Sequence, residues 1–271
     1  MVIDIHTHVG GPSDSESGTL FDPRSLAVDY DLRERIMDRN RIDRAVILPS
    51  FEYDTTAGAE ATRALNESLR RTAEAYDRLI CPVGVVEPAH GHAALDEIDR
   101  LAAEGFTGVT VHNAHQRIPL DAAPTIAVLE RAEKAGLVPF IHCFSPDWEF
   151  EHLDRLASVA DHLSQPVVVL DALSRFGQER RIAELGARFE HLYFDTTMVN
   201  SLGLMIESLV EELGARRLVF GSGLYTRPLQ YRHSADLFQV RKADISEADR
   251  ELILEGNARR ILDVSETITD S

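Results

Sequence analysis

Val2-Ile3-Asp4-Ile5-His6-Thr7-His8 opens the chain as an apolar run that ends in two histidines one residue apart. Apolar and β-branched residues dominate its first half, so it reads as a buried strand. In a strand, residues two apart point to the same face. His6 and His8 can therefore reach one shared point, and neutral imidazole is the commonest metal ligand among side chains. The competing reading is two unrelated surface or capping histidines. Gly10 and Gly11 follow at once, where a strand would hand over to a loop at the mouth of a barrel.

Outward from this stretch the chain alternates. Val9 to Tyr30 is rich in Gly, Ser, Asp and Pro and reads as a long loop, either a lid beside the histidine pair or a solvent-exposed insertion. Helical spacing begins at Asp31 and runs to Asn40. Strands follow at Arg44–Pro49, Leu79–Val86, Phe106–His112, Leu137–His142, Pro166–Leu170, Leu192–Asp195 and Arg217–Phe220. Helices fall between and after them, at Thr62–Tyr76, Ala93–Ala103, Pro124–Ala135, Trp148–Leu163, Arg175–Phe189 with a break at Gly186, Ser201–Leu213, Ser246–Leu254 and Asn257–Leu262. The strands are continuously apolar, as in a parallel sheet covered by helices on its faces. About eight such units make a (β/α)8 TIM barrel of the α/β class, and residues 1–271 read as a single domain. A doubly wound open sheet is the runner-up, weakened because no Gly-x-Gly-x-x-Gly turn follows the first strand.

Composition narrows the function. The 44% hydrophobic content supports a core and argues against disorder. A net charge of -17 argues against nucleic acid, because phosphate would be repelled. No apolar run is long enough to span a bilayer, and the first residues lack the basic start of a signal peptide, so a cytoplasmic protein with no membrane partner is expected. Lys134 and Lys242 are the only lysines; an acidic, lysine-poor surface fits a salt-rich cytoplasm and equally fits high-GC codon usage. Cys81 and Cys143 sit in apolar runs and read as buried free thiols.

In a barrel the C-terminal strand ends converge on one site. They supply His6 and His8, Glu87, His112 with Asn113 and His115, His142, Asp171, Asp195, and at the last strand only Ser222 and Gly223. Taken singly, each has an ordinary structural role, Asp195 as a helix cap, for example. Taken together they suit a metal or acid/base site. Three converging histidines suit zinc with an open position for water, whose pKa the metal would lower. A carboxylate such as Asp171 would be a further ligand or would move the proton.

Several segments resemble the amidohydrolase superfamily, in the branch that includes aminocarboxymuconate semialdehyde decarboxylase. They are Ile3–His8, Gly105–Gly108, Val138–His142, Phe194–Thr197, Val219–Ser222 and Gly256–Leu262, in order over nearly the whole chain. The resemblance implies a barrel, a divalent metal, zinc first, held by His6, His8 and His142, and hydrolysis or non-oxidative decarboxylation of a small carboxylated or cyclic-amide substrate. Asp171 and His112 are the expected catalytic pair. Three positions depart from the family pattern. Asp171 stands where a histidine is usual, Gly223 where an aspartate is usual, and Thr110 where a lysine is frequent. Asp171, Asp195 and Glu87 are the available replacements for the strand-eight carboxylate. Three functions follow: a metal-dependent enzyme, a catalytically silent relative that binds or assembles, and a metal-free enzyme using His112 and Asp171. Tyr225 to Tyr231, with Arg227 and Arg232, is expected to shape the pocket. Association into a homo-oligomer is left open, because no sequence feature fixes the subunit number.

Overall fold

The computed structural model describes residues 1–9, 23–49, 58–144, 148–175, 177–199, 204–225 and 234–263. Its strands are β1 (Ile3–Val9), β2 (Arg44–Pro49), β3 (Leu79–Val85), β4 (Gly108–Val111), β5 (Val138–His142), β6 (Val167–Leu170), β7 (Leu192–Asp195), β8 (Leu218–Val219) and β9 (Leu224–Tyr225). All pair in parallel, in the order β8-β7-β6-β5-β4-β3-β2-β1-β9. The two ends of that order are one chain segment, joined through residues 220–223. Ile5 N–H donates to the Phe220 carbonyl and Gly223 N–H to the His6 carbonyl, both at 2.9 Å. The eighth strand is thus split, its first half on β7 and its second on β1, and the sheet closes into the TIM barrel that the sequence leads one to expect.

Two apolar clusters explain why the strands are apolar on both faces. Ile3, Ile5, Val46, Leu48, Phe140, Val168, Leu170, Tyr193 and Val219 fill the barrel, with Ala258, Ile261 and Leu262 packed against them. Their neighbours Ala45, Ile47, Val109, Val111, Ile141, Val167, Val169, Leu192 and Phe194 face the helices. The helices are α1 (Pro23–Asn40), α2 (Ala59–Ala75), α3 (His92–Ala103), α4 (Asn113–Gln116), α5 (Ala123–Lys134), α6 (Trp148–Glu151), α7 (Leu153–Ala160), α8 (Glu179–Arg188), α9 (Leu204–Leu213), α10 (Ala235–Lys242), α11 (Glu247–Glu251) and α12 (Asn257–Leu262). Among the described residues, no helix is long and apolar enough to cross a membrane.

Three local expectations are corrected, and one helix is new. Helix α1 starts at Pro23, inside the stretch read as loop, because proline's fixed φ suits a first helical turn; residues 10–22 lie outside the described ones. The helix expected over Trp148–Leu163 is two, because His152 leaves the helical conformation and its Nδ1 caps Asp154 N–H at 3.2 Å. Helix α8 runs unbroken through Gly186, where a Cβ would lie 2.2 Å from Leu213 Cδ1, so this glycine serves close packing against α9. Helix α10 lacks clear apolar spacing and was not anticipated; Ser234 Oγ caps it by accepting from Leu237 N–H at 3.1 Å.

Candidate metal centre

Strand β1 is irregular where it matters. Its pairing with β2 shifts between Asp4 and Thr7. Ile3 and Ile5 face the barrel interior, and plain alternation from them would send His6 and His8 out toward the helices. The irregularity reverses the phase, as bulges do when they re-aim a side chain. Thr7 now faces outward, accepting from Arg33 of α1 at 2.8 Å and donating to the Val46 carbonyl. His6 and His8 turn inward and are buried. On β5, β6 and β7 the alternation is undisturbed, so His142 follows Phe140 and Asp195 follows Tyr193 into the mouth.

One donor atom each from His6, His142 and Asp171 lies within 4.8 Å of the others, and all three residues are buried. The His6 and His8 Nε2 atoms are 2.8 Å apart. His8 Nδ1–H donates to the Pro49 carbonyl at 2.7 Å, which leaves its Nε2 as a bare lone pair. His6 Nδ1 lies 2.7 Å from Asp195 Oδ2 and 3.0 Å from Thr197 Oγ1, so Nδ1 carries a proton and, in the neutral ring, Nε2 is bare as well. Two bare nitrogens at this distance repel unless a positive charge lies between them. A proton or a divalent cation meets that requirement. Burial, reinforced by the charges of His6 and His142, holds His8 well below the ordinary imidazole range. Burial, then the neighbouring His112 and His6, does the same to His142. Burial opposes charge on His6 too, but Asp171 and then Asp195 outweigh it and raise its pKa. His8 and His142 are thus held neutral, as a divalent metal needs, while the charge favoured on His6 is the one such an ion would displace.

Asp171 follows β6 with φ 59, in the left-handed region that non-glycine residues seldom occupy. Its Oδ2 is 3.0 Å from His142 Nδ1, and its main-chain N–H donates to Asp195 Oδ1 at 3.0 Å. Strained conformations of this kind cluster at functional sites. His112 follows β4; its ring stacks on His142 with centroids 4.4 Å apart and planes 14° apart. Its Nδ1 lies 2.6 Å from Glu151 Oε1, which also accepts from Ala114 N–H at 2.9 Å. Tyr225 stacks on His8 at 4.4 Å.

The remaining strand-end residues have structural work. Glu87 Oε1 accepts from Ala89 N–H at 3.1 Å. Asn113 donates to the Ile118 carbonyl, and Ser222 Oγ donates to buried Asp4 at 2.5 Å. Cys143 is buried in the outer core, and burial pushes its thiol well up. The side chain of Cys81 and most of the expected pocket segment, residues 226–231 with Arg232, lie outside the described residues. In the sequence Glu151 carries no mark beyond its place among helical residues; the break at His152 turns the end of α6 toward the barrel.

The family model described as amidohydrolase matches residues 3–264. No curated protein matches the chain by sequence. Solved structures with the same fold include 5-carboxyvanillate decarboxylase from Sphingomonas paucimobilis, with TM-score 0.72 and 16% identity over 97% of this chain and 99% of that one. A 2,6-dihydroxybenzoate decarboxylase from Rhizobium gives TM-score 0.70 and 17% identity over 97% of this chain and 98% of that one. A dihydroxybenzoic acid decarboxylase from a Polaromonas species, with bound manganese and the inhibitor 2-nitroresorcinol, gives TM-score 0.71 and 17% identity over 97% of this chain and 96% of that one.

Proposed function

Because the chain belongs to the amidohydrolase family, we propose that it is a metal-dependent enzyme hydrolysing a small carboxylated substrate at the C-terminal mouth of its barrel. The observation that carries this reading is the facing pair of Nε2 atoms on His6 and His8, 2.8 Å apart, beside His142 and Asp171. His6, His8 and His142 would hold the ion, with Asp171 as a further ligand or as the base. Imidazole-rich sites suit zinc, while two solved neighbours carry manganese; metal analysis decides between them. When bound, a divalent ion supplies Lewis-acid polarisation and lowers the pKa of water. Asp171, on its strained turn, would act as the base that takes a proton from water, and His112, protonated and paired with Glu151 against the His142 ring, would give its own proton to the leaving group; exchange with solvent would then reset both. The substrate's carboxylate would offset the positive charge of the loaded site.

A second reading, non-oxidative decarboxylation, is favoured by the reactions named for the structural neighbours. In it the same His112–Glu151 pair would deliver the proton that replaces carbon dioxide. The metal-loaded protein should be offered hydroxylated benzoates, cyclic esters and cyclic amides, with release of carbon dioxide and ring opening followed separately. Ring opening that His142→Ala abolishes supports hydrolysis, and carbon dioxide release supports the second reading. No turnover of any class, with metal bound, would leave a silent binding protein instead.

A further inference from the structure

The carboxylate expected at strand eight is absent as a side chain, and its space is filled. A Cβ on Gly221 would lie 2.8 Å from Asp195 Oδ2 and 2.9 Å from Thr197 Oγ1. A Cβ on Gly223, at φ 59, would lie 2.7 Å from Thr197 Cγ2. The end of β7 and the turn after it therefore reach across the volume that strand-eight side chains would occupy. Both glycines are needed for Asp195 and Thr197 to stand where they do.

Asp195 is wholly buried and also takes a side-chain hydrogen bond from Thr197, and its two oxygens reach two different residues of the candidate site. Oδ2 takes the Nδ1–H of His6 at 2.7 Å, and Oδ1 takes the main-chain N–H of Asp171 at 3.0 Å. One carboxylate thus ties strand one to strand six. We propose that Asp195 is the positioning residue of the metal centre: it fixes the His6 tautomer that exposes Nε2, pins the left-handed turn that aims Asp171, and replaces by this route the strand-eight carboxylate lost at Gly223. This inference rests on the metal-centre reading above. A carboxylate behind a ligating histidine sets its ring orientation and basicity. Asp195 does this for His6 while holding a second ligand's backbone.

Asp195→Asn tests the assignment, because an amide has the same shape but accepts through one atom only. If the amide oxygen keeps Asp171 N–H, its NH2 faces His6 Nδ1 and drives the ring proton onto Nε2, where it blocks a metal. If the oxygen keeps His6, the Asp171 N–H is left unpaired. Zinc affinity, read by competition with a chromophoric chelator, should fall roughly 10–100-fold in a variant whose circular dichroism is unchanged. Asp195→Ser, too short to bridge His6 Nδ1 and Asp171 N–H together, should weaken zinc in the same direction and serves if Asp195→Asn does not fold; Gly221→Ala cannot, because its Cβ would also lie 2.9 Å from His6 Cβ. Unchanged affinity in the folded variants overturns the positioning role and leaves the metal centre standing. If the parent binds no zinc, the metal-centre reading fails on its own. The 15N signals of His6 then decide the inference: a move of the proton from Nδ1 to Nε2 in Asp195→Asn upholds it, and an unmoved proton overturns it.

Discussion

Gly223→Asp restores the residue type usual at the end of strand eight, and the fold should resist it. Position 223 has φ 59, which costs a non-glycine residue roughly 1 kcal/mol, aspartate being among the more tolerant. The new Cβ would stand 2.7 Å from Thr197 Cγ2, well inside van der Waals contact. Thr197 is only 2% exposed and its hydroxyl is committed to His6, so it has little freedom to move aside. Overpacking of this kind costs about 1–3 kcal/mol. Gly223→Asp should therefore destabilise the protein by roughly 2–4 kcal/mol. Thr197→Ser deletes the offending methyl and keeps the hydroxyl. In the double variant the overpacking part should vanish, giving a coupling of about 1–3 kcal/mol. Urea unfolding of all four proteins, with chelator present so that an added ligand contributes nothing, measures the cycle. Full stability of Gly223→Asp, or a coupling near zero, would refute the claim that Thr197 fills that space.

Other consequences are separable. Burial, and then the charge of Asp195, push the Asp236 carboxyl up to about 7, so the folded protein keeps a proton that the unfolded chain releases near pH ~4. Stability from this group is lost as pH rises from there through about 7, by roughly 2–4 kcal/mol. Asp236→Asn, which can still accept from Val199 N–H as Asp236 does at 3.1 Å, should flatten that decline in urea midpoints and match the parent near pH ~4; an unchanged profile would count against it. Phe140→Ala removes a fully buried ring from the barrel interior and should cost about 3–5 kcal/mol; a loss below about 1 kcal/mol would mean that the interior is not packed as described. On any substrate turned over, His112→Ala should lower kcat roughly 10²–10⁴-fold with zinc affinity retained, whereas equal loss of metal would make His112 a ligand.

Much of the fold lies open in the sequence because parallel barrel strands are buried on both faces, and runs such as Val167–Leu170 or Ala45–Leu48 advertise that directly. Strand order alone brings the ends that carry His6, His142 and Asp171 to one mouth of the barrel. What the sequence hides is phase and direction. Counting alternately from Ile3 and Ile5 points His6 and His8 the wrong way, and only the pairing irregularity in β1 turns them inward. Glu151 reads as one more acidic residue on a helix until His152 ends that helix early. Asp195 reads as a helix cap, and its hold on both His6 and Asp171 depends on two glycines about 25 residues further on, whose role is to leave space. The start of α1 is hidden for a different reason: its first turn carries no apolar spacing, and the proline that opens it resembles a loop residue.

Metal content tests the central claim most directly. Protein purified without chelator and measured by elemental analysis should carry about one equivalent of a divalent metal per chain. His6→Ala and His142→Ala, prepared alongside and shown to be folded, should carry far less. A metal-free parent that stays metal-free after incubation with zinc or manganese would contradict the account, and so would histidine variants that hold metal as well as the parent does.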